Sequence, residues 1–421
     1  MLRDFVLQMA VNTLALTALH AARPMVTYRA LDLGASPFEI GLVQAAFSLL
    51  PVFTAVAIGR WIDRLGAGRF LFAASALMSI ASVILSFAGS LVGLAFAQVI
   101  FGFGQVINVV AGQAMIANRA PRDRRDQHYS WYATIVSTGQ LLGPALAGLL
   151  AGSALAGAVA GIGPFTDNGQ AAVFLFAALI AGIATVLSTL LLERGRRPPS
   201  ADATASEPAN VASAAWVVLR KPGMAAAMLV SLTVLSSIDV LVAYLPAYGE
   251  VAGLSVQAVG LLLAVRAGAS LLSRLVMPQL IDRLGRQRLL TLSTGMAAAG
   301  ILAVPFVSAV PVLVGLMIVA GLGLGIGQPM TIAWVANQSA RRERALALGV
   351  RVTGNRLALL TVPAGIGALA GASGLATIWV AVAIFLGAAT IVAARTSLDR
   401  GRPESAVPGG AKAEPAAVAE P

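Results

Sequence analysis

Residues 59–69 read Gly59-Arg60-Trp61-Ile62-Asp63-Arg64-Leu65-Gly66-Ala67-Gly68-Arg69, and residues 278–288 read Pro278-Gln279-Leu280-Ile281-Asp282-Arg283-Leu284-Gly285-Arg286-Gln287-Arg288. The block Ile-Asp-Arg-Leu-Gly thus occurs twice, with Arg69 matched by Arg288, at a single offset of 219 residues (position 63 to position 282). Without a gap, that offset also pairs Gly41 with Gly260, Gly102 and Gly104 with Gly321 and Gly323, and Ala117-Asn118 with Ala336-Asn337. It pairs Arg122 and Arg125 with Arg341 and Arg344, and Pro144 and Gly148 with Pro363 and Gly367. Scattered glycines match by chance in an alanine-rich chain. A charged five-residue block at the same place in each half does not, so the chain reads as a tandem duplication.

Each half is built from long apolar runs. Hydrophobic residues make up 58% of the 421 residues, charged residues only 11%, and the mean hydropathy is +0.85. A soluble domain is about half apolar and about a quarter charged, and could not bury this much apolar surface. The runs approach the ~20 residues that cross a hydrocarbon core of ~30 Å, where every backbone polar group needs an internal partner, so they are helices. Spans are expected at 5–28, 38–60, 69–88, 91–117, 129–154 and 171–192, then at 223–248, 257–279, 288–308, 311–337, 346–371 and 374–394. The expected fold is an all-α membrane protein with twelve transmembrane helices in two pseudo-symmetric six-helix bundles, residues 1–192 and 223–394. A polar, Arg- and Pro-containing linker, residues 193–222, joins them, and residues 395–421 form a disordered tail. Before the first run stand only Arg3 and Asp4, and the run carries Asn12 and continues past His20. It reads as a retained helix, not a cleaved signal.

The net charge of +11 follows topology. Arg60, Arg64 and Arg69 follow the second span; Arg119, Arg122, Arg124 and Arg125 the fourth; Arg283, Arg286 and Arg288 the eighth; Arg341, Arg342 and Arg344 the tenth. The intervening loops at 88–92, 155–170, 249–256 and 371–374 hold no Lys or Arg, Arg29 being the main exception. The rule that basic loops stay inside then puts both termini and the linker in the cytoplasm. The Arg and Ala bias suggests a bacterial genome, hence a bacterial cytoplasmic (inner) membrane. No interleaving of aromatic and basic residues points to nucleic acid. There is no cysteine, the only histidines are His20 and His128, and no nucleotide loop of the Gly-rich Lys-Ser/Thr kind occurs. An enzyme, a metal site, a cofactor and ATP coupling are therefore not expected.

With these motifs in view, the chain resembles the major facilitator superfamily over essentially its whole length. Gly59, Asp63, Arg64, Gly66 and Arg69 look like the family's signature after the second helix, although Ala67-Gly68 stands where paired basic residues are usual. Asp282, Arg283, Gly285 and Arg286 repeat it in the second half, with Pro278 in the place of Gly59. The resemblance implies that these loops latch the cytoplasmic ends of the halves and release as they rock apart. In the fifth span, Gly139-Gln140-Leu141-Leu142-Gly143-Pro144-Ala145-Leu146-Ala147-Gly148 is similar to the motif of the family's drug/proton antiporter-type exporters, with Ala147 replacing a usual Gly. Its small residues would let a neighbouring helix approach, and Pro144 would bend the span. The exporters' usual Arg in the fourth span is replaced by Gln98, so proton coupling by that route is not expected.

Charges in mid-membrane cost roughly 2.5–3.5 kcal/mol each on insertion scales, so they mark function. Gln8, Asn12, His20, Arg23 and Thr27 form one stripe of the first span. The repeat offset pairs His20 with Asp239 of the seventh span, on opposite walls at similar depth. Asp239 is expected to carry the coupling proton, with Arg266 of the eighth span or His20 as its charge partner; a fixed Asp239–Arg266 structural pair stands close beside that reading. Asn12, Arg23, Gln98, Gln105, Asn108, Gln140, Tyr244, Gln328 and Arg356 are candidates to line a substrate chamber. Three deep arginines against one aspartate leave the chamber positive and favour an anionic or zwitterionic solute. What the resemblance implies is a monomeric secondary transporter moving a small organic solute by alternating access, through proton-coupled efflux. Import or uniport of an anionic metabolite is the alternative.

Overall fold

The computed structural model describes residues 2–119, 125–153, 169–192, 216–339 and 343–396. It contains twelve helices long and apolar enough to cross a membrane. The first half comprises α1 (Leu2–Asp32), α2 (Pro37–Leu65), α3 (Ala67–Phe87), α4 (Leu91–Arg119), α5 (Arg125–Ala151) and α6 (Gln170–Leu192). The second comprises α7 (Met224–Val251), α8 (Val256–Leu275), α9 (Met277–Leu284), α10 (Arg286–Leu302), α11 (Val310–Gln338), α12 (Arg344–Ser373) and α13 (Ala376–Arg395). The expected linker lies outside the described residues from 193 to 215, and the expected tail from 397 onward. Where description resumes, residues 216–219 are helical and Lys221 forms an ion pair with Glu343 beside the start of α12.

Local chemistry sets the boundaries. Ser36 and Glu39 form a reciprocal capping box at the start of α2, the Ser36 N–H donating to Glu39 at 2.7 Å, and Pro37 occupies the first turn. Gly66 (φ 92°) turns the chain from α2 into α3, and its repeat equivalent Gly285 (φ 76°) turns α9 into α10. Both sit in a backbone region that L side chains rarely adopt, which gives the two motif glycines one structural job. The halves differ just before that turn. The second span runs unbroken through Gly59, but the eighth, expected as one helix over 257–279, stops at Leu275 and restarts as the short α9. Pro278 is the reason: it lacks an N–H and its ring clashes with the preceding turn. The ninth span is likewise shorter than expected, ending at Leu302 before a 3₁₀ turn around Pro305.

The sequence offset reappears as pairs of matching helix contacts. A Cβ on Gly102 would collide with the Phe47 backbone, and one on Gly321 with the backbone of Arg266, the residue equivalent to Phe47. Gly104 meets Met78 and Ala74, and Gly323 meets the equivalent Ala297 and Ser293. The seams between the halves obey the same rule. In one seam Gly41 of α2 lies against Pro363 and Ala364 of α12; in the other Gly260 of α8 lies against Pro144 and Gly148 of α5. Small residues permit this approach because no hydrophobic drive between helices exists in lipid, leaving backbone-level van der Waals contact to hold them. Both seams lie toward the end of the bundle remote from the linker, called here the far end.

A Cβ at Gly260 would stand 2.6 Å from the Pro144 carbonyl oxygen, whereas one at Gly268 would meet only Leu141 Cδ1, at 3.5 Å. Gly260→Val should therefore destabilise the folded protein by about 1–3 kcal/mol, with Gly268→Ala nearly neutral. Thermal unfolding of the two variants measures this; equal melting temperatures would remove the α5–α8 seam from the account of stability.

Candidate functional site

Helices α1 and α7 cross at the centre of the bundle and bring the two halves' charges together. Arg23 Nη1 donates to Asp239 Oδ1 at 2.5 Å, both residues being under a tenth exposed. The guanidinium lies 4.7 Å from the centre of the Phe47 ring, and its Nη2 reaches Gln44 Oε1 at 3.5 Å. Gln44 in turn donates to Thr27 Oγ1 at 3.0 Å and accepts from Gln98 Nε2 at 3.3 Å. One turn farther out, Thr27 donates to the Ala243 carbonyl at 2.7 Å. Tyr244 donates toward the carbonyls of Pro363 (2.8 Å) and Pro37 (3.0 Å), so that a single hydroxyl ties α7 to α2 and α12. This polar plug, set between the two glycine seams, joins the halves on the far-end side.

Asp239 therefore meets Arg23, where the sequence expected Arg266 or His20. The repeat does put His20 and Asp239 at equivalent positions, but two crossing helices do not bring equivalent residues into contact. The residue that reaches Asp239 is one turn beyond His20. Breaking such a buried pair by removing one partner costs about 3–5 kcal/mol, because the other charge is left uncompensated.

The remaining candidates divide into three groups. His20 lies in the field of both Arg23 and Arg266, and its backbone packs on Gly143 of α5, where an added Cβ would stand 2.6 Å away. Arg356 feels both Asp239 and Arg23 and donates to Gln105 Oε1 of α4 at 3.4 Å, again across the halves. With Gln44, Gln98 and Tyr244, these residues form the central cluster. Gln328 belongs instead to the interior of the second half, accepting from Arg351 at 2.6 Å and donating to the Ser231 carbonyl at 2.9 Å. Asn12 donates within its own helix to Gln8 O at 2.9 Å, Asn108 is fully buried with neither side-chain atom bonded, and Gln140 is half-buried on α5.

The motif residues also find places. Gly139 and Gly143 let α5 close on α1 at Leu16 and His20, and Pro144 and Gly148 face α8. The latch side chains of Arg64, Arg69, Asp282, Arg283 and Arg286 are exposed at the linker end, as is Arg60. Gly59 and Gly66 are half-buried and Gly285 exposed; of Asp63, the structure describes the helical backbone. Two contributors went unread in the sequence. Gln44 is a lone amide in the apolar start of the second span, and Arg274 of α8 donates to Ser137 of α5 at 2.8 Å and to the Gly325 carbonyl at 3.0 Å. The signal that could have found them is a polar group inside an apolar span. Among the described residues no group of three His, Cys, Asp or Glu side chains could hold a metal ion.

Comparison with known proteins agrees with this architecture. No curated protein matches the chain. Among solved structures, a bacterial homolog of the human lysosomal transporter Spinster, in an inward-facing and occupied conformation, superposes with a TM-score of 0.74 at 17% identity, covering 96% of this chain and 99% of that one. The nucleoside transporter NupG gives a TM-score of 0.74 at 14% identity, covering 92% and 98%. A POT family transporter in complex with 5-aminolevulinic acid gives 0.71 at 14% identity, covering 93% and 95%. At these identities the likeness is one of fold. The family model described as Major Facilitator Superfamily matches residues 6–310 and 252–420, and the chain belongs to that superfamily: it is a multi-pass membrane transporter of a small solute, not an enzyme.

Proposed function

We propose that this protein is a monomeric secondary active transporter of a bacterial cytoplasmic membrane, with both termini and the linker in the cytoplasm, that exports a small organic solute by proton-coupled alternating access. The observation that carries the reading is the Arg23–Asp239 ion pair, which joins the two halves at the centre of the bundle, below the far-end seams. The exposed latch residues at the linker end fit a state open to the cytoplasm. Opening the far end requires that this pair separate. A proton on Asp239 removes the Coulombic attraction and leaves Arg23 held by Gln44 and the Phe47 ring, so protonation and outward opening favour one another. Gln98, bonded to Gln44, stabilises the plug but cannot carry a proton charge, which leaves Asp239 as the coupling group. Export rests on the similarity of the Gly139–Gly148 segment to the exporter motif. A second reading, uptake of an anionic metabolite, is supported by the excess of guanidinium groups around one carboxylate.

Two experiments test the mechanism. In liposomes with an imposed pH gradient, Asp239→Asn should keep substrate binding and lose pH-driven flux of organic acids or cationic dyes; undiminished proton-driven flux would rule Asp239 out. Because the chain has no cysteine, Gly152→Cys with Gln257→Cys supplies a clean cross-link. A Cβ at Gly152 would lie 3.1 Å from Gln257 Cγ, so oxidation should pin α5 to α8 at the far end and stop transport until a reductant is added. Full transport by the cross-linked protein would be incompatible with alternating access at that seam.

A further inference from the structure

The N-terminal half places Phe47 beneath the central ion pair; at the repeat-equivalent position the second half places Arg266. Arg266 is 3% exposed, and its Nε is enclosed without a hydrogen-bond partner. Among the described residues neither a hydrogen bond nor an ion pair reaches its guanidinium. Arg23 has Asp239, Arg351 has Gln328 and Thr331, Arg274 has Ser137 and Gly325, and Arg356 has Gln105. Arg266 alone among these deep arginines lacks an acceptor. It stands at the level where α8 passes Leu141 and Pro144 of α5, midway between the glycine seam and Ser137, and near enough to His20 to act on it electrostatically. A guanidinium keeps its charge and has five donors but no acceptor, so an enclosed one without a counter-charge is among the costliest arrangements in a membrane interior.

We propose that Arg266 is the substrate-binding cation of this transporter, and that the transported solute is an organic anion whose carboxylate or phosphate-type oxygens accept from its fork. This rests on the transporter reading and adds the substrate class. The central cluster already pairs its one carboxylate with Arg23, so no free negative charge remains there to hold a cation. The planar fork matches two oxygens of one acidic group, a geometry that a lysine ammonium cannot copy. Leaving the fork empty between transport cycles makes the occupied state the more stable one, since the ligand supplies the missing counter-charge.

Full-length protein in lipid nanodiscs is tested by thermal unfolding and equilibrium binding with benzoate, citrate and phenyl phosphate, against tetraphenylphosphonium and ethidium, all at millimolar concentration. At least one anion should raise the wild-type melting temperature by about 2–4 °C and bind at least tenfold more weakly to Arg266→Gln, with Arg266→Lys intermediate. Without ligand, Arg266→Met should melt no lower than the wild type, because an uncompensated buried charge has gone; a purely structural arginine would give a clear drop. Protection by the cations alone, anion binding unchanged in Arg266→Gln, absence of anion protection, or a destabilised ligand-free Arg266→Met would each overturn the assignment. Cation flux without anion binding would overturn the substrate class and leave alternating access standing, whereas anion binding without flux would do the reverse.

Discussion

A carboxylate and a guanidinium facing each other across two half-molecules inside a membrane constrain everything around them. Arg23 and Asp239 each carry a charge that lipid cannot solvate, and together they neutralise one another at 2.5 Å. Every neighbouring feature serves that contact. The Phe47 ring and Gln44 receive the part of the guanidinium that Asp239 does not, Gln98 steadies Gln44, Thr27 bonds to the Ala243 carbonyl and Tyr244 to the Pro37 carbonyl, each across the halves. The bare glycine seams permit the approach that the pair requires. In the proposed mechanism, protonation of that one carboxylate is the event that releases the contact.

The duplication supplies a symmetric frame and the residues within it break the symmetry. Backbone crossings recur with repeat-equivalent glycines: Gly102 and Gly321, Gly104 and Gly323, Gly41 and Gly260. The chemistry does not recur. His20 is matched by Asp239 and Phe47 by Arg266, so one half contributes a ring and an imidazole where the other contributes a guanidinium and a carboxylate. A transporter needs both properties. In the proposed mechanism, equivalent halves give two states of similar energy that differ in which end is open, and unequal side chains let an anionic solute and a proton bias the balance between them.

Much of the fold was legible along the chain, and the site was legible only in part. Hydropathy located all twelve spans, and the two Ile-Asp-Arg-Leu-Gly blocks revealed the repeat. The break at Pro278 was written in the sequence as well, in a residue that cannot continue a helix, although the apolar run concealed it. Asp239, Arg23, Arg266, Arg356 and His20 were visible because ionisable groups are rare in such runs. Gln44 escaped notice because an uncharged amide is a modest anomaly among apolar neighbours. Gln328 and Asn108 were polar in apolar spans too, yet they lie within single halves.

What the sequence determined by itself was the number of crossings, the duplication, the resemblance to the family and most of the deep charges. The crossings and charges follow from composition along each stretch, the duplication from the repeated Ile-Asp-Arg-Leu-Gly block, and the family from the resemblance of the motifs. Which charge meets which was decided by tertiary structure: Asp239 found Arg23 one turn past the expected His20, and among the described residues no hydrogen bond or ion pair reaches the Arg266 guanidinium. The reason is geometric. A pseudo-two-fold fixes where equivalent residues lie relative to the axis, but contact depends on how deeply and at what angle α1 and α7 cross, and that is set by the packing of every other helix against them.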